Sequence, residues 1–284
     1  MLPVSVHFAP LAPDYDVVLS DVWGVLHNGV AAFPESGDAL ARFRAGGGTV
    51  ILITNAPRPA EYVAHLLDKF GVPREAYDGI ATSGDVTRSV VAERRGQRVF
   101  HLGPERDIGI FEGLDLTLSP LETADYVVCS GLFDDEIETP DDYRAMLADM
   151  RARGLFMVCA NPDVVVERGH RLVYCAGALA DAYREIGGEV LYAGKPHEPI
   201  YAAALAAAVR TRGADVPRER VLAIGDSVRT DLAGAKAFGI DSVFVTAGIH
   251  AEELGRDDPD PAVLEKILVA AGVRPRAVTR RLAW

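Results

Sequence analysis

Short, continuous apolar runs alternate along this chain with stretches whose apolar residues recur every three or four positions. The runs "DVVLSD" (16–21), "TVILIT" (49–54), "RVLAIGD" (220–226) and "DSVFVTAG" (241–248) are rich in Val and Ile. They lack the in–out alternation of a half-exposed sheet and predict strands covered on both faces. Ala60–Phe70 places Val63, Leu66, Leu67 and Phe70 at i, i+3, i+4 and i+7, on one helical face. Ile200–Arg210 predicts an Ala-rich helix leading back into the third of these strands. Strand, helix and strand at this spacing imply parallel strands joined by crossovers, a doubly wound α/β sheet of Rossmann-like type.

The middle of the chain repeats the style without repeating the sequence. "QRVFHLG" (97–103), "DYVVCSG" (125–131) and "GLFMVCAN" (154–161) predict further strands. Asp141–Arg153 predicts an amphipathic helix with Tyr143, Met146, Leu147 and Met150 on one face. Residues 83–185 therefore read as a smaller α/β domain inserted into a core made of 1–82 and 186–284. Asp257–Asp260 predicts a turn before a last helix, Pro261–Ala271, and the run Gly46-Gly47-Gly48 a helix end and turn.

Composition narrows the classes. With 284 residues, 49% hydrophobic and 25% charged, the chain has the make-up of a soluble globular protein. A formal net charge of −12 argues against nucleic acid or an anionic membrane as partner, because both need clustered Lys and Arg. An anionic substrate needs local help: a cation, a lysine or backbone N–H groups. Cys129, Cys159 and Cys175 stand far apart with no C-x-x-C pair, which speaks against zinc. An odd cysteine count and an opening "MLPVSVHFAPLAPDYD" without a basic region lead us to expect a reducing, cytoplasmic setting. No apolar run reaches the ~18 residues of a membrane span.

Ligands of open parallel sheets bind beyond the carboxyl ends of the strands, so those ends are where chemistry is expected. One strand ends at Asp21 and another at Thr54-Asn55; a third runs into "GDSVRTD", with Asp226 and Asp231. Lys195 stands in "AGKPHEPIY", just before a helix. Each has a plainer reading. Asp21, Thr54-Asn55 and Asp226-Ser227 could be helix caps, Asp231 a solvated helix residue, and Lys195 a surface lysine. The joint pattern is what points to a site. Carboxylates at strand ends suit Mg²⁺, and a cation beside Thr, Asn and Lys donors makes a pocket for a phosphoryl group. Gly194-Lys195 is no P-loop, since Pro196 stands where Ser or Thr is required.

These pieces together resemble the class IIA, NagD-like branch of the haloacid-dehalogenase superfamily. The first motif of that superfamily is matched by "VVLSDVWGVL", the second by "VILITNAPR", the third by "YAGKPHEPIY" and the fourth by "VLAIGDSVRTDLAGAKAFGIDSVFVTAG". Inside the insert, "ATSGDVTRSVV", "ADYVVCSG" and "CANPDVVV" are also similar to this branch, and the insert lies where class II caps lie. The resemblance implies a Mg²⁺-dependent hydrolase of a small phosphorylated metabolite, acting through an aspartyl-phosphate, as a monomer or homodimer. Asp21 is then the nucleophile. The metal is held by Asp21, the backbone carbonyl of Trp23, and Asp226, with Asp231 close behind. Thr54 and Lys195 bind phosphoryl oxygens with help from Asn55. Asn161 and Asp163, in the cap's "NPD" loop, face the leaving group.

One position departs from the pattern. Phosphatases of the superfamily carry a second Asp in the first motif as general acid and base, and the matching residue here is Trp23. Indole has a single N–H donor and no proton to give near neutral pH. Three expectations follow. The substrate has a good leaving group, such as an acyl phosphate; or another group near the substrate, His27 ahead of His197, supplies the proton; or turnover is slow or lost, leaving a phosphate-binding or regulatory protein. A metal-free dehalogenase fits less well, because Asp226 and Asp231 are retained.

Overall fold

The computed structural model describes residues 7–168, 171–255 and 259–284. The chain enters a first sheet through β1 (Val17–Asp21), β2 (Thr49–Thr54) and β3 (Gly79–Thr82). It builds a second sheet with β4 (Arg98–Leu102), β5 (Thr117–Leu118), β6 (Tyr126–Cys129) and β7 (Phe156–Cys159). A hairpin of β8 (Val165–Arg168) and β9 (Arg171–Tyr174) follows, and β10 (Val190–Tyr192) returns to the second sheet. The first sheet is completed by β11 (Val221–Gly225), β12 (Asp241–Val245) and β13 (Ala277–Thr279).

The first sheet runs β13-β12-β11-β1-β2-β3. Every residue of β1, β2 and β11 is buried, which is why these strands are apolar without alternation. β1 pairs in parallel with both β2 and β11, Asp21 standing level with Ile53, and Ser20 with Ile224. The chain leaves β1 toward β2 and β3 on one side, and lays β11, β12 and β13 on the other. The strand order therefore reverses between β1 and β11, and the crevice of a doubly wound sheet opens at the carboxyl ends of those two strands. Asp21 and Asp226 sit there.

The second sheet, β10-β7-β6-β4-β5, is also parallel and has its own core, with Leu102, Val127, Met157, Leu179 and Tyr183 fully buried. The helix Arg144–Ala152, preceded by a tight turn at Pro140–Tyr143, buries Tyr143, Leu147 and Met150 in that core. The chain forms two compact units: Met1–Thr54, Val63–Ala81 and Pro196–Trp284 make one, and Asn55–Tyr62 with Thr82–Lys195 the other. The expected boundary at 185 is thus corrected to Lys195. The physical reason is β10, which pairs with β7 and carries 190–192 into the second sheet.

Local departures are small. Ala60–Phe70 is helical as expected, but Leu66 is exposed while Val63 and Leu67 are buried. Gly47, at φ +92°, ends the helix Pro34–Ala45 in a conformation open to glycine. Of the turn expected at Asp257–Asp260, Asp257 and Asp258 lie outside the described residues, as do Met1–Val6 of the N-terminal stretch. Asp260 caps the last helix, Pro261–Ala270, by accepting from the N–H groups of Ala262 and Val263. Among the described residues no helix is long and apolar enough to cross a membrane.

Candidate active site

Three carboxylates meet at the crevice. Asp21 ends β1; Asp226 follows β11; Asp231 lies on the turn after it. One oxygen from each lies within 4.8 Å of the others, and all three residues are buried. The turn is built to aim Asp231 backward. Leu232 N–H bonds to the Ser227 carbonyl five residues earlier at 3.1 Å, a π-type turn that widens the helix start. Ser227 Oγ caps it by accepting from Thr230 N–H, and Asp231 Oδ2 accepts from Ser227 N–H at 3.1 Å. The buried Tyr201 hydroxyl donates to the Asp231 backbone carbonyl at 3.1 Å. Asp226 Oδ2 accepts from Ile249 N–H at 2.7 Å.

Three glycines make room for these acids, and sequence reasoning passed over all of them. A Cβ on Gly24 would fall 2.0 Å from Asp226 Oδ2, and one on Gly248 would fall 1.9 Å from it. A Cβ on Gly225 would fall 2.1 Å from Asp231 Cγ. Their signal was present as the Gly of "DVWG", "IGD" and "TAG". Any larger side chain there would push the carboxylates from their shared position. A hard divalent cation fits this donor set: oxygen ligands only, anionic, and gathered from two strand ends around one point.

The loop after β1 holds Trp23 and His27. Gly24 N–H bonds to the His27 carbonyl at 2.8 Å, and Leu26 N–H to the Val22 carbonyl at 2.9 Å, while Val25 and Leu26 are buried anchors. His27 is 1% exposed; its Nδ1 accepts from Gly29 N–H at 3.0 Å, and its ring packs 4.6 Å from the Phe70 ring. Burial lowers its pKa to about 4, so the ring is neutral at physiological pH. Buried, with its Nδ1 committed to a backbone amide, the His27 ring holds the loop. Trp23 is 45% exposed. It meets His27 edge to face, centroids 5.2 Å apart, and lies so close over Gly29 (φ +83°) that a Cβ there would be 2.3 Å from the ring.

Thr54 is buried at the end of β2, one residue beyond Ile53, the register partner of Asp21. Asn55, Asp163 and Lys195 belong to the second unit and are held together there. Asn55 Nδ2 donates to Asp163 Oδ1 at 2.9 Å and to the Lys195 carbonyl at 3.1 Å, and its Oδ1 accepts from Lys195 N–H at 2.7 Å. Both amide hydrogens are thereby used. The Asn55 side chain thus braces the chain entering and leaving the insert. Gly194 is required by the same brace, since a Cβ there would lie 2.3 Å from Asn55 Oδ1. Asn161 Oδ1 accepts from Asp163 N–H at 3.2 Å, shaping its own loop, and Lys195 is buried.

Residues 18–117 match the family described as haloacid dehalogenase-like hydrolase, and residues 192–271 match one described as HAD-hydrolase-like. A hydrolase of the haloacid dehalogenase-like family from Brucella suis 1330 has a solved structure similar to this one, at TM-score 0.86 and 47% identity, covering 98% of this chain and 100% of that one. The chain belongs to the haloacid dehalogenase-like hydrolase family. Ribonucleotide monophosphatase NagD of Escherichia coli K12 is 24% identical over 240 residues, 82% of this chain and 88% of that protein. A glycerol phosphate phosphatase from Mycobacterium tuberculosis, solved in complex with calcium, is 25% identical at TM-score 0.64, covering 84% of this chain and 68% of that one.

Proposed function

We propose that this chain is a Mg²⁺-dependent, NagD-like phosphohydrolase. In this reading it moves a phosphoryl group from a small phosphorylated metabolite to Asp21 and then to water. The observation that carries the reading is the meeting of Asp21, Asp226 and Asp231 within 4.8 Å at the point where strand order reverses. The relatives' printed activities, on ribonucleotide monophosphates and glycerol phosphate, and the calcium bound to one of them, support it.

The roles follow from charge. Asp21 attacks phosphorus; Asp226, Asp231 and the Trp23 carbonyl hold the cation with it. A divalent cation bound there supplies the charge neutralisation that lets a carboxylate approach a phosphate. The family resemblance assigns Thr54 and Lys195 to the phosphoryl oxygens and the loop of Asn161 and Asp163 to substrate selection. We also propose a cytoplasmic setting, with the chain acting as monomer or homodimer. In this reading Trp23 stands where related phosphatases carry the acid that protonates the leaving oxygen. The loop that packs Trp23 on Gly29 and His27 also favours a second reading, a slow or silent phosphate-binding protein.

The test is phosphate release from a panel of phosphate compounds, with Mg²⁺ and with EDTA, by the wild type and by Asp21→Asn. Release that needs both the metal and Asp21 supports the hydrolase. Tight phosphate-ligand binding without release supports the second reading, and metal-independent halide release, when haloacids are added to the panel, overturns both.

A further inference from the structure

We infer that His250 is a positioning residue of the carboxylate cluster: its imidazole clasps the turn that aims Asp231 to the segment that holds Asp226, and this clasp sets the affinity for the divalent cation. The inference rests on the proposed function for the identity of that cation.

The clasp joins two segments that follow neighbouring strands. β11 runs into Asp226 and the turn Val228–Leu232, and β12 runs into residues 246–250. The two strands pair in parallel with Gly225 level with Phe244, so both segments leave the sheet at the same edge. The second segment is tied down at its start: Thr246 N–H bonds to the Thr279 carbonyl at 2.9 Å, and Ala247 N–H to the Arg280 carbonyl at 3.0 Å. It then passes against Asp226, whose Oδ2 takes the Ile249 N–H and leaves no room for a Cβ at Gly248.

His250 is the next residue. Its Nε2 accepts from Val228 N–H at 3.4 Å, and its ring meets the Phe244 ring edge to face, centroids 5.9 Å apart. Val228 opens the π-type turn, where an N–H has no carbonyl of the turn behind it to bond to. Thr230 N–H is taken by Ser227 Oγ and Asp231 N–H by the Ser227 carbonyl, and the imidazole takes the N–H of Val228. Acceptance at Nε2 puts the proton of the neutral ring on Nδ1, which faces Glu253 Oε2 at 3.2 Å. Glu253 therefore selects the tautomer and His250 holds the turn. The ring has a fixed seat, because Val228, Phe244 and Leu254 around it are buried in one core cluster.

The consequence falls on the acids. Like charges in the buried cluster push apart when no cation joins them, so the backbone must hold them at the spacing a cation needs. Asp231 is aimed by the turn and Asp226 by the segment at Ile249; the His250 ring fixes one against the other. Loss of partners that orient ligating groups costs ~10–100-fold in metal affinity.

The experiment measures Mg²⁺ binding by calorimetry on the intact protein and on His250→Phe and His250→Gln. Phe keeps a ring against Phe244 and removes the acceptor; Gln puts an oxygen where Nε2 stood. The Kd for Mg²⁺ is expected to rise ~10-fold in His250→Phe and to stay within ~3-fold of wild type in His250→Gln. Nitrogen NMR of the wild-type ring without metal, at about pH 8.5 and so above the ordinary imidazole range, is expected to find the proton on Nδ1. Glu253→Ala, at an exposed position, keeps the test open if the Phe variant does not fold: it is expected to move the proton toward Nε2 and to weaken Mg²⁺ binding. Wild-type affinity in His250→Phe, equal losses in the Phe and Gln variants, or a wild-type ring protonated on Nε2 overturns the inference and leaves the proposed function standing. No Mg²⁺ binding by the wild type overturns both.

Discussion

Replacing Asp226 by Asn separates the electrostatic cost of the site from its use. Three buried carboxylates within 4.8 Å repel one another when no cation joins them. At that distance and an effective dielectric constant of ~20, each like-charged pair costs about 3.5 kcal/mol. Asp226→Asn removes two such pairs and keeps an oxygen that can accept from Ile249 N–H. Weakening that charge-assisted bond offsets about 1–2 kcal/mol. The variant should therefore be more stable than wild type in EDTA, by about 5 kcal/mol on these figures, when unfolding is followed in urea. Addition of Mg²⁺ should narrow the gap by about half. A cation at a hundred times its Kd stabilises the wild type by about 2.7 kcal/mol, while the variant, missing a ligand, gains far less. A variant that is less stable than wild type in EDTA, with an undiminished response to Mg²⁺, would refute the reasoning and make Asp226 a structural acceptor.

Three further outcomes are expected. Asn55→Ala removes a brace of three hydrogen bonds and leaves the Lys195 amide without its acceptor, so the second unit should lose about 2–4 kcal/mol, seen as faster amide exchange around Ala193–Lys195; unchanged exchange would contradict the bracing role. Burial lowers His27 and His101 from 6.5 to about 4, so the unfolded chain gains protons first and stability should fall as pH drops from 6.5 toward 4, by up to about 1.4 kcal/mol per pH unit for each ring. Ring signals followed by NMR should stay neutral at pH 5.5, and a midpoint near 6.5 would count against it. Cys129 and Cys159 are fully buried register partners on β6 and β7, and burial pushes the Cys129 thiol up to about 12, so neither should label with iodoacetamide in the folded protein; rapid labelling would show that the second sheet opens.

How much was legible in the sequence depended on how locally each feature is encoded. β2 occupies the whole of "TVILIT" because a strand buried on both faces must be apolar throughout. β10, three residues long, left no periodicity to read, and missing it misplaced the boundary of the insert. The acidic cluster was legible because its members end strands, and strand ends in parallel sheets converge. The glycines that admit it were visible but mute, since only coordinates show what a Cβ would strike. The bracing role of Asn55 was hidden for a similar reason. Its partners Asp163 and Lys195 lie 108 and 140 residues away, and nothing local distinguishes a brace from a phosphate ligand. Trp23 was marked as exceptional by sequence alone, whereas the burial that gives His27 a structural role emerged only with Phe70 packed against it.

The central claim, that Asp21 carries the phosphoryl group, is tested most directly by chemical trapping. The protein is mixed with acetyl phosphate and Mg²⁺, quenched, reduced with borohydride and mapped by mass spectrometry. The account predicts conversion of the side chain at position 21 to homoserine, absent when Mg²⁺ is withheld. Modification at another carboxylate, or none while phosphate is still being released, would contradict it.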